Sequence, residues 1–206
     1  MNEDKFNIML SGVGGQGLML LSETIGRACS EMDKKVITGE QHGLSQRSGS
    51  IYVHLRIGED AHSPLIPYGE ADLMVSLEGM EALRNIEYLK PDGHIISSNR
   101  LVHHPIETNK VVEEEVEEYI TIEDIVEKLE EVTENIYMLD SLSLAKEAGN
   151  PRTENVVLLG AVTSIPNFPL ERDVLKEVVK ETVPEKTIDV NLKAFELGYE
   201  EGSKNR

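Results

Sequence analysis

The residues with the clearest chemical pattern are Ser11-Gly12-Val13-Gly14-Gly15-Gln16-Gly17. An apolar run, Phe6 to Leu10, precedes them, and another, Leu18 to Leu21, follows. That order predicts strand, glycine loop, helix. Glycines allow a tight turn and close approach, and a helix N-terminus offers free N–H donors to an anion. A second polar stretch, Glu40 to Ser50, is dense in donors and acceptors. Within it Arg47 has the forked guanidinium that pairs with carboxylate or phosphate. His42 can move a proton or donate a hydrogen bond, and Glu40 and Gln46 add polar groups beside it. No nucleophile and no second carboxylate lies near, so no residue of this loop is assigned as catalytic. It is expected to be an ordered surface facing a partner.

Gly12, Gly14 and Gly17 satisfy the G-x-G-x-x-G spacing, which leaves three readings open. In the first, the loop seats a dinucleotide and Glu40, ending the second strand, holds a ribose. In the second, the amides of Gly14 to Gly17 seat a phosphate of a nucleotide-bearing thiol such as coenzyme A. In the third, the glycines only let the first helix pack on the sheet, with Gln16 tying the loop by hydrogen bonds.

The elements that position these residues follow from periodicity. Strands are expected over Phe6–Ser11, Lys35–Gly39, Ser50–Arg56, Ala71–Leu77, His94–Ser98 and Ile136–Asp140. In Ser50–Arg56 the alternation places Ile51, Val53 and Leu55 inward and Tyr52, His54 and Arg56 outward. Helices are expected from Leu18 to about Met32, over Glu78–Leu89 with Pro91-Asp92-Gly93 ending it, and from Ile122 to Val132 with Thr121 as cap. Ser141–Gly149, Val156–Ser164, the stretch around Leu170–Val179 and Pro184–Gly202 complete the helical set. Asn99–Asn109 reads as irregular and Val111–Tyr119 as extended. Alternating strands and helices predict an α/β fold, a three-layer sandwich around a mixed, mostly parallel sheet with a Rossmann-like first βα turn. One domain spanning 1–206 is expected from the length.

Net charge is −18, and no Lys/Arg cluster is present, so nucleic acid is not an expected partner. Much of the acid lies between Glu113 and Glu134, a solvated helix face by default. No apolar run approaches the ~20 residues of a membrane span, and the polar start does not resemble a signal peptide, so a cytoplasmic protein is expected. Cys29 is the single cysteine. A Cys₄ iron–sulfur cluster or a cysteine-rich zinc site cannot form from it, and it reads as a small packed thiol. His103-His104 reads as a loop pair and not as a metal site.

Taken with the Glu40–Ser50 loop, Gly12-Val-Gly-Gly-Gln-Gly17 resembles the gamma-type subunits of 2-oxoacid:ferredoxin oxidoreductases, including the beta subunits of their indolepyruvate branch. The resemblance continues through Ser63-Pro-Leu-Ile-Pro67, Gly69-Glu-Ala-Asp72, Glu78-x-x-Glu81-Ala-Leu83, Tyr88-Leu-Lys-Pro91, Asn155-Val-Val-Leu-Leu-Gly160, Val183-Pro-Glu-Lys186 and Asn191-x-x-Ala194-Phe195. Ser48 departs from it, standing where the family usually has the second glycine of Q-R-G-G. The resemblance implies a subunit without its own redox cofactor. Thiamine diphosphate and iron–sulfur clusters would lie on a large partner subunit, which passes electrons to ferredoxin, with coenzyme A as co-substrate. Gly12, Gly14, Gly15, Gln16 and Gly17 would be a backbone seat for coenzyme A or for the partner. Glu40, His42, Gln46 and Arg47 would line the interface. The substrate implied is an arylpyruvate. Pyruvate, a branched 2-oxoacid and 2-oxoglutarate stay open within the family, and a free-standing dinucleotide oxidoreductase stays open outside it.

Overall fold

A computed structural model of the chain describes residues 5–42, 49–102 and 120–204. In chain order the elements are β1 (Phe6–Val13), α1 (Leu18–Glu31), β2 (Val36–His42), β3 (Ser50–Ile57), β4 (Ala71–Ser76), α2 (Gly79–Arg84), β5 (Leu89–Ser98), α3 (Ile122–Glu130), β6 (Ile136–Leu139), α4 (Ser141–Ala148), α5 (Glu154–Val162), α6 (Arg172–Thr182) and α7 (Ile188–Lys204). The six strands form one sheet in the order β2-β3-β1-β4-β5-β6. β1, β4, β5 and β6 run parallel; β3 is antiparallel to both β1 and β2. The sheet is mixed, as expected, because β3 returns from β2 directly and without a crossover helix.

Helices cover both faces. On the first, Leu18, Leu21, Ile25, Ala28 and Cys29 of α1 pack on Ile8, Leu10, Val53 and Leu55, beside α4 to α7. Their i, i+3, i+4 spacing makes the apolar stripe that buries α1. Its end is set by Asp33, whose φ of 51° cannot continue a right-handed helix. On the second face, Ala82 of α2 and Ile125 and Leu129 of α3 cover Met9, Met74 and Ile95. Thr121 caps α3, as the sequence predicts, and with Asp124 it forms a capping box.

Three expectations change. Glu40, Gln41 and His42 belong to β2, which continues past Gly39 because each pairs with β3. The helix after Glu78 is short: α2 ends at Arg84, a 3-10 turn covers Ile86–Tyr88, and Leu89 opens β5. Pro91-Asp92-Gly93 therefore lies inside β5, at an irregularity between the pairs Ala71–Leu89 and Leu73–His94. A bulge tolerates a proline without N–H, and a Cβ on Gly93 would sit 2.6 Å from Leu89 Cδ1.

The outward face assigned to β3 is not open to solvent. His54 is 1% exposed and Arg56 is 8% exposed. Residues 58–70 cross over them. Arg56 Nη1 donates to the carbonyls of Ser63 and Leu65, both at 3.1 Å, and its Nε to Asn7 Oδ1 at 3.1 Å. Ile66 N–H donates to His54 Nδ1 at 3.3 Å. Burial, with Arg56 beside it, holds His54 below the ordinary histidine range, so it is neutral and accepts that bond. The alternation is real, but the polar side is used to bind a covering segment. The expectations for residues 103–109 of the irregular stretch, for Val111–Tyr119, for His103-His104 and for much of the acidic run lie outside the described residues.

α5 and α7 cross at near backbone contact. A Cβ on Gly160 would overlap the carbonyl oxygen of Phe195, and one on Gly198 would overlap that of Val157. Gly198→Ala is therefore expected to destabilise by about 3 kcal/mol or more, since rigid backbone must move. Gly26, mid-α1, has open space around a Cβ. Gly26→Ala is expected to stabilise by about 0.5–1 kcal/mol. Urea midpoints of the two variants check the opposite signs.

Candidate functional site: a crevice at the β1/β4 switch point

The chain leaves β1 into α1 on the first face and leaves β4 into α2 on the second. β1 and β4 are neighbours, so the helices diverge and a crevice opens beyond their C-terminal ends. Ligands of open α/β sheets collect at such reversals. A cavity of about 540 Å³ lies there. The glycine loop and Leu77 form one wall, Arg100 and Val102 a second, and Pro151, Arg152 and Glu154 a third.

Hydrogen bonds fix the loop. Val13 N–H donates to Gln16 Oε1 at 2.7 Å, and Gln16 Nε2 donates to Leu77 O at 3.1 Å. One side chain thus bridges the ends of β1 and β4. Gly14 N–H donates to Gly49 O at 3.0 Å, tying the loop to the start of β3. Gly12 has its Cβ position 2.9 Å from Gln16 Oε1, so the glutamine occupies the space a larger residue would take. Gly17 caps α1 at φ 85°, with Asn155 Nδ2 2.5 Å from its Cβ position and donating to Gly17 O at 3.2 Å. No side chain caps α1. The amides of Gly15, Gly17, Leu18 and Met19 have no acceptor among the described residues. Unspent donors at a helix start favour an anion.

The opposite walls carry the cations. Arg100 Nη1 donates to Glu154 Oε1 at 2.8 Å. Ser141 Oγ donates to Glu154 Oε2 at 3.3 Å, Ser98 and Ser141 share a 2.8 Å hydroxyl contact, and Arg100 N–H donates to Ser98 Oγ at 3.2 Å. This closed circuit fixes Arg100 at the rim. Arg152 is exposed there, and its guanidinium has no ion-pair partner among the described residues. The amides of Gly15 and Gly17 and the Arg152 guanidinium, none of them with a partner among the described residues, line one cavity, an arrangement suited to a phosphate or carboxylate.

Of the glycine-loop residues predicted from sequence, Gly14, Gly15, Gln16 and Gly17 line this crevice, and Gly12 lies against Gln16 and Leu77 without lining it. The second predicted group does not join them. Glu40 is exposed and pairs with Val53 on β3, which separates β2 from β1. Two strand spacings put it about 10 Å from β1, too far for the ribose role given to an acid on the strand beside the loop. The dinucleotide reading loses its acid for that reason. His42 ends β2 opposite Ile51, and Gln46 and Arg47 lie outside the described residues. Sequence reasoning missed Arg100 and Arg152. Arg100 follows the C-terminal end of β5, and Arg152 sits in Asn150-Pro151-Arg152 at a helix start, a turn signal already visible in the chain. Among the described residues no group of three or more metal-ligating side chains gathers, and no helix is long and apolar enough to cross a membrane.

Fold and crevice together define an α/β protein with a polar crevice at its first βα turn. The pyruvate ferredoxin/flavodoxin oxidoreductase family model matches residues 7–201, and the chain belongs to that family. It is 42% identical to the indolepyruvate oxidoreductase subunit IorB of Thermococcus kodakarensis, over 94% of each chain. The subunit of the same name from Pyrococcus horikoshii is 41% identical, again over 94% of each. The keto/oxoacid ferredoxin oxidoreductase gamma subunit of Geobacter sulfurreducens shares the fold, with a TM-score of 0.68 at 21% identity, covering 96% of this chain and 98% of that one.

Two outcomes follow from the loop and its helix. Gly17→Ala should destabilise by roughly 1–2 kcal/mol from its left-handed backbone alone, and further because Asn155 must move, whereas Gly15→Ala, at φ 96° in open space, should show the backbone cost only. Urea unfolding of both variants reads the difference. Cys29 is fully buried, and burial pushes its thiol up to about 12. It should therefore resist a thiol reagent at pH 8 in the native protein and react once urea unfolds the chain, as followed by chromophore release.

Proposed function

We propose that this chain is the smaller, non-cofactor-bearing subunit of an indolepyruvate:ferredoxin oxidoreductase. The observation that carries the reading is similarity over nearly the full length to subunits of that name. The reaction takes an arylpyruvate, coenzyme A and two oxidised ferredoxins to arylacetyl-coenzyme A, carbon dioxide, two reduced ferredoxins and a proton. Thiamine diphosphate and iron–sulfur clusters supply the carbon–carbon cleavage and electron transfer, and both belong to a large partner subunit; ferredoxin is met through that subunit. One cysteine cannot ligate a cluster by itself. The whole of residues 1–206 acts as one gamma-type domain in the cytoplasm.

This chain contributes binding and orientation. The amides of Gly15, Gly17, Leu18 and Met19 and the Arg152 guanidinium donate to a phosphate of coenzyme A. Gln16 holds the loop in the shape that aims those donors, with Gly12 and Gly14 giving it room. Glu40, His42, Gln46 and Arg47 face the partner subunit.

The purified chain should be colourless and should reduce no dye with arylpyruvate and coenzyme A. Activity should appear when the large subunit is added. Arg152→Ala should raise the KM for coenzyme A in the reconstituted enzyme by about tenfold, the loss of one charge-assisted contact, with the KM for arylpyruvate unchanged. Turnover by the isolated chain would reject the division of labour. An unaltered coenzyme A KM would reject the seat.

A further inference from the structure

The second wall of the crevice is held by a buried acid that the site does not use. Glu78, 1% exposed, is the residue before α2. Its two oxygens are each taken by one backbone amide. Glu81 N–H donates to Oε2 at 2.8 Å, which caps α2, and Val102 N–H donates to Oε1 at 2.9 Å. Next to it, Gly79 N–H donates to Arg100 O at 2.9 Å. The wall that carries Arg100 and Val102 is thus attached to α2 by two bonds, and one of them ends on a carboxylate.

Among the described residues no ion pair matches the charge on Glu78. Glu81, fully buried one turn further on, is ion-paired to Arg84 at 2.5 Å and accepts Ser50 Oγ at 2.5 Å. Arg100, on the wall packed against Glu78, has its guanidinium on Glu154. Leu101 and Ile122, the side chains nearest Gly79, are apolar. No cation lies within ion-pair distance of Glu78 among the described residues. Desolvation raises its pKa above the ordinary carboxylate value, the two amides pull it down, the Glu81 charge raises it further and the Arg84 charge lowers it. The net direction is upward. A carboxyl raised in the folded state contributes stability below its unfolded value, and that contribution is lost as pH rises through the folded value. The carboxylate form is therefore held at a cost relative to the neutral acid. A Ser or Thr would cap α2 without that cost.

Protonation forces a choice. A neutral carboxyl has one good acceptor oxygen, and its hydroxyl oxygen carries a proton that would face an amide proton. The cap bond to Glu81 lies within a helical turn. Val102 sits on an irregular segment and is the easier of the two to release. We infer that Glu78 is a proton-operated positioning residue, which clamps the Arg100–Val102 wall of the crevice as a carboxylate and lets it go on protonation, so that occupancy of the crevice depends on pH through a group that never touches the occupant. The identity of that occupant as coenzyme A rests on the function proposed above; the clamp does not.

The test has one arm for each. Amide exchange of Val102 in the full chain, read by NMR and divided by the intrinsic rate at each pH, should show protection falling about tenfold as acid protonates Glu78, the loss of one hydrogen bond to a charged group. In Glu78→Gln the carboxamide has a single acceptor oxygen and its NH₂ faces a donor, so Val102 should be weakly protected at every pH. Constant protection in the natural chain, or full protection in Glu78→Gln, overturns the clamp. In the reconstituted enzyme, Glu78→Gln should hold the coenzyme A KM at the natural enzyme's low-pH value at every pH, several-fold above its value at pH 8, with the arylpyruvate KM unmoved. If Arg152→Ala raises that KM and Glu78→Gln does not, the link from clamp to occupancy is wrong. If exchange behaves as expected and neither variant alters it, the clamp stands and coenzyme A is not the occupant.

Discussion

The crevice depends on how two adjacent strand ends are closed. β1 and β4 finish side by side, and their chains depart to opposite faces of the sheet. Such a parting leaves backbone groups that the ladder no longer pairs, and buried ones must find partners. Gln16 is long enough to span the gap and has both an acceptor and a donor, so one side chain serves Val13 N–H and Leu77 O together. Beneath it Ser11 Oγ donates to Ser76 Oγ at 2.9 Å, and Ser76 Oγ donates to Glu78 O at 2.6 Å. With these groups satisfied internally, the amides at the start of α1 are the ones left without an acceptor among the described residues.

A similar economy organises the second face. Short polar side chains and charged groups stand where a core strand would have only apolar ones: Asn7, Ser11, His54, Arg56, Glu78 and Glu81 are all buried. Several of their hydrogen bonds go to backbone of irregular segments. Arg56 holds carbonyls of the 58–70 crossing, Asn7 Nδ2 donates to Glu70 O at 2.8 Å, and Glu78 holds Val102. Loops are fixed to the sheet by polar bonds as well as by apolar contact, and His54 Nε2 has no hydrogen-bond partner among the described residues.

Much of this was readable in the chain. The strand, glycine loop and helix at residues 6–31 follow from two apolar runs around Gly12–Gly17, and the mixed sheet follows from a strand at Ser50 with no helix before it. Thr121 was readable as a cap because the signal is local. One of the three readings of the loop had Gln16 tying it by hydrogen bonds, and it does. What was missed involves partners distant in sequence. Arg56 looked outward because alternation records only which face a residue is on, and the cover over that face arrives from residues 63–66. Glu40 stood at the right spacing for a ribose contact, but spacing along the chain cannot tell that β3 would insert between β1 and β2. Pro91 and Gly93 read as a helix stop, and only pairing with β4 made them a bulge.

The sequence by itself determined the α/β class, the first βα turn, the packed state of Cys29 and membership of a family, since each depends on composition, period or contiguous motif. Only the tertiary structure decided that Arg100 and Arg152 join the glycine loop, that Glu40 does not, and that Glu78 grips Val102. Those facts concern which elements lie side by side. They are set by strand order and by where each helix crosses, and a residue's neighbours along the chain carry no direct record of either.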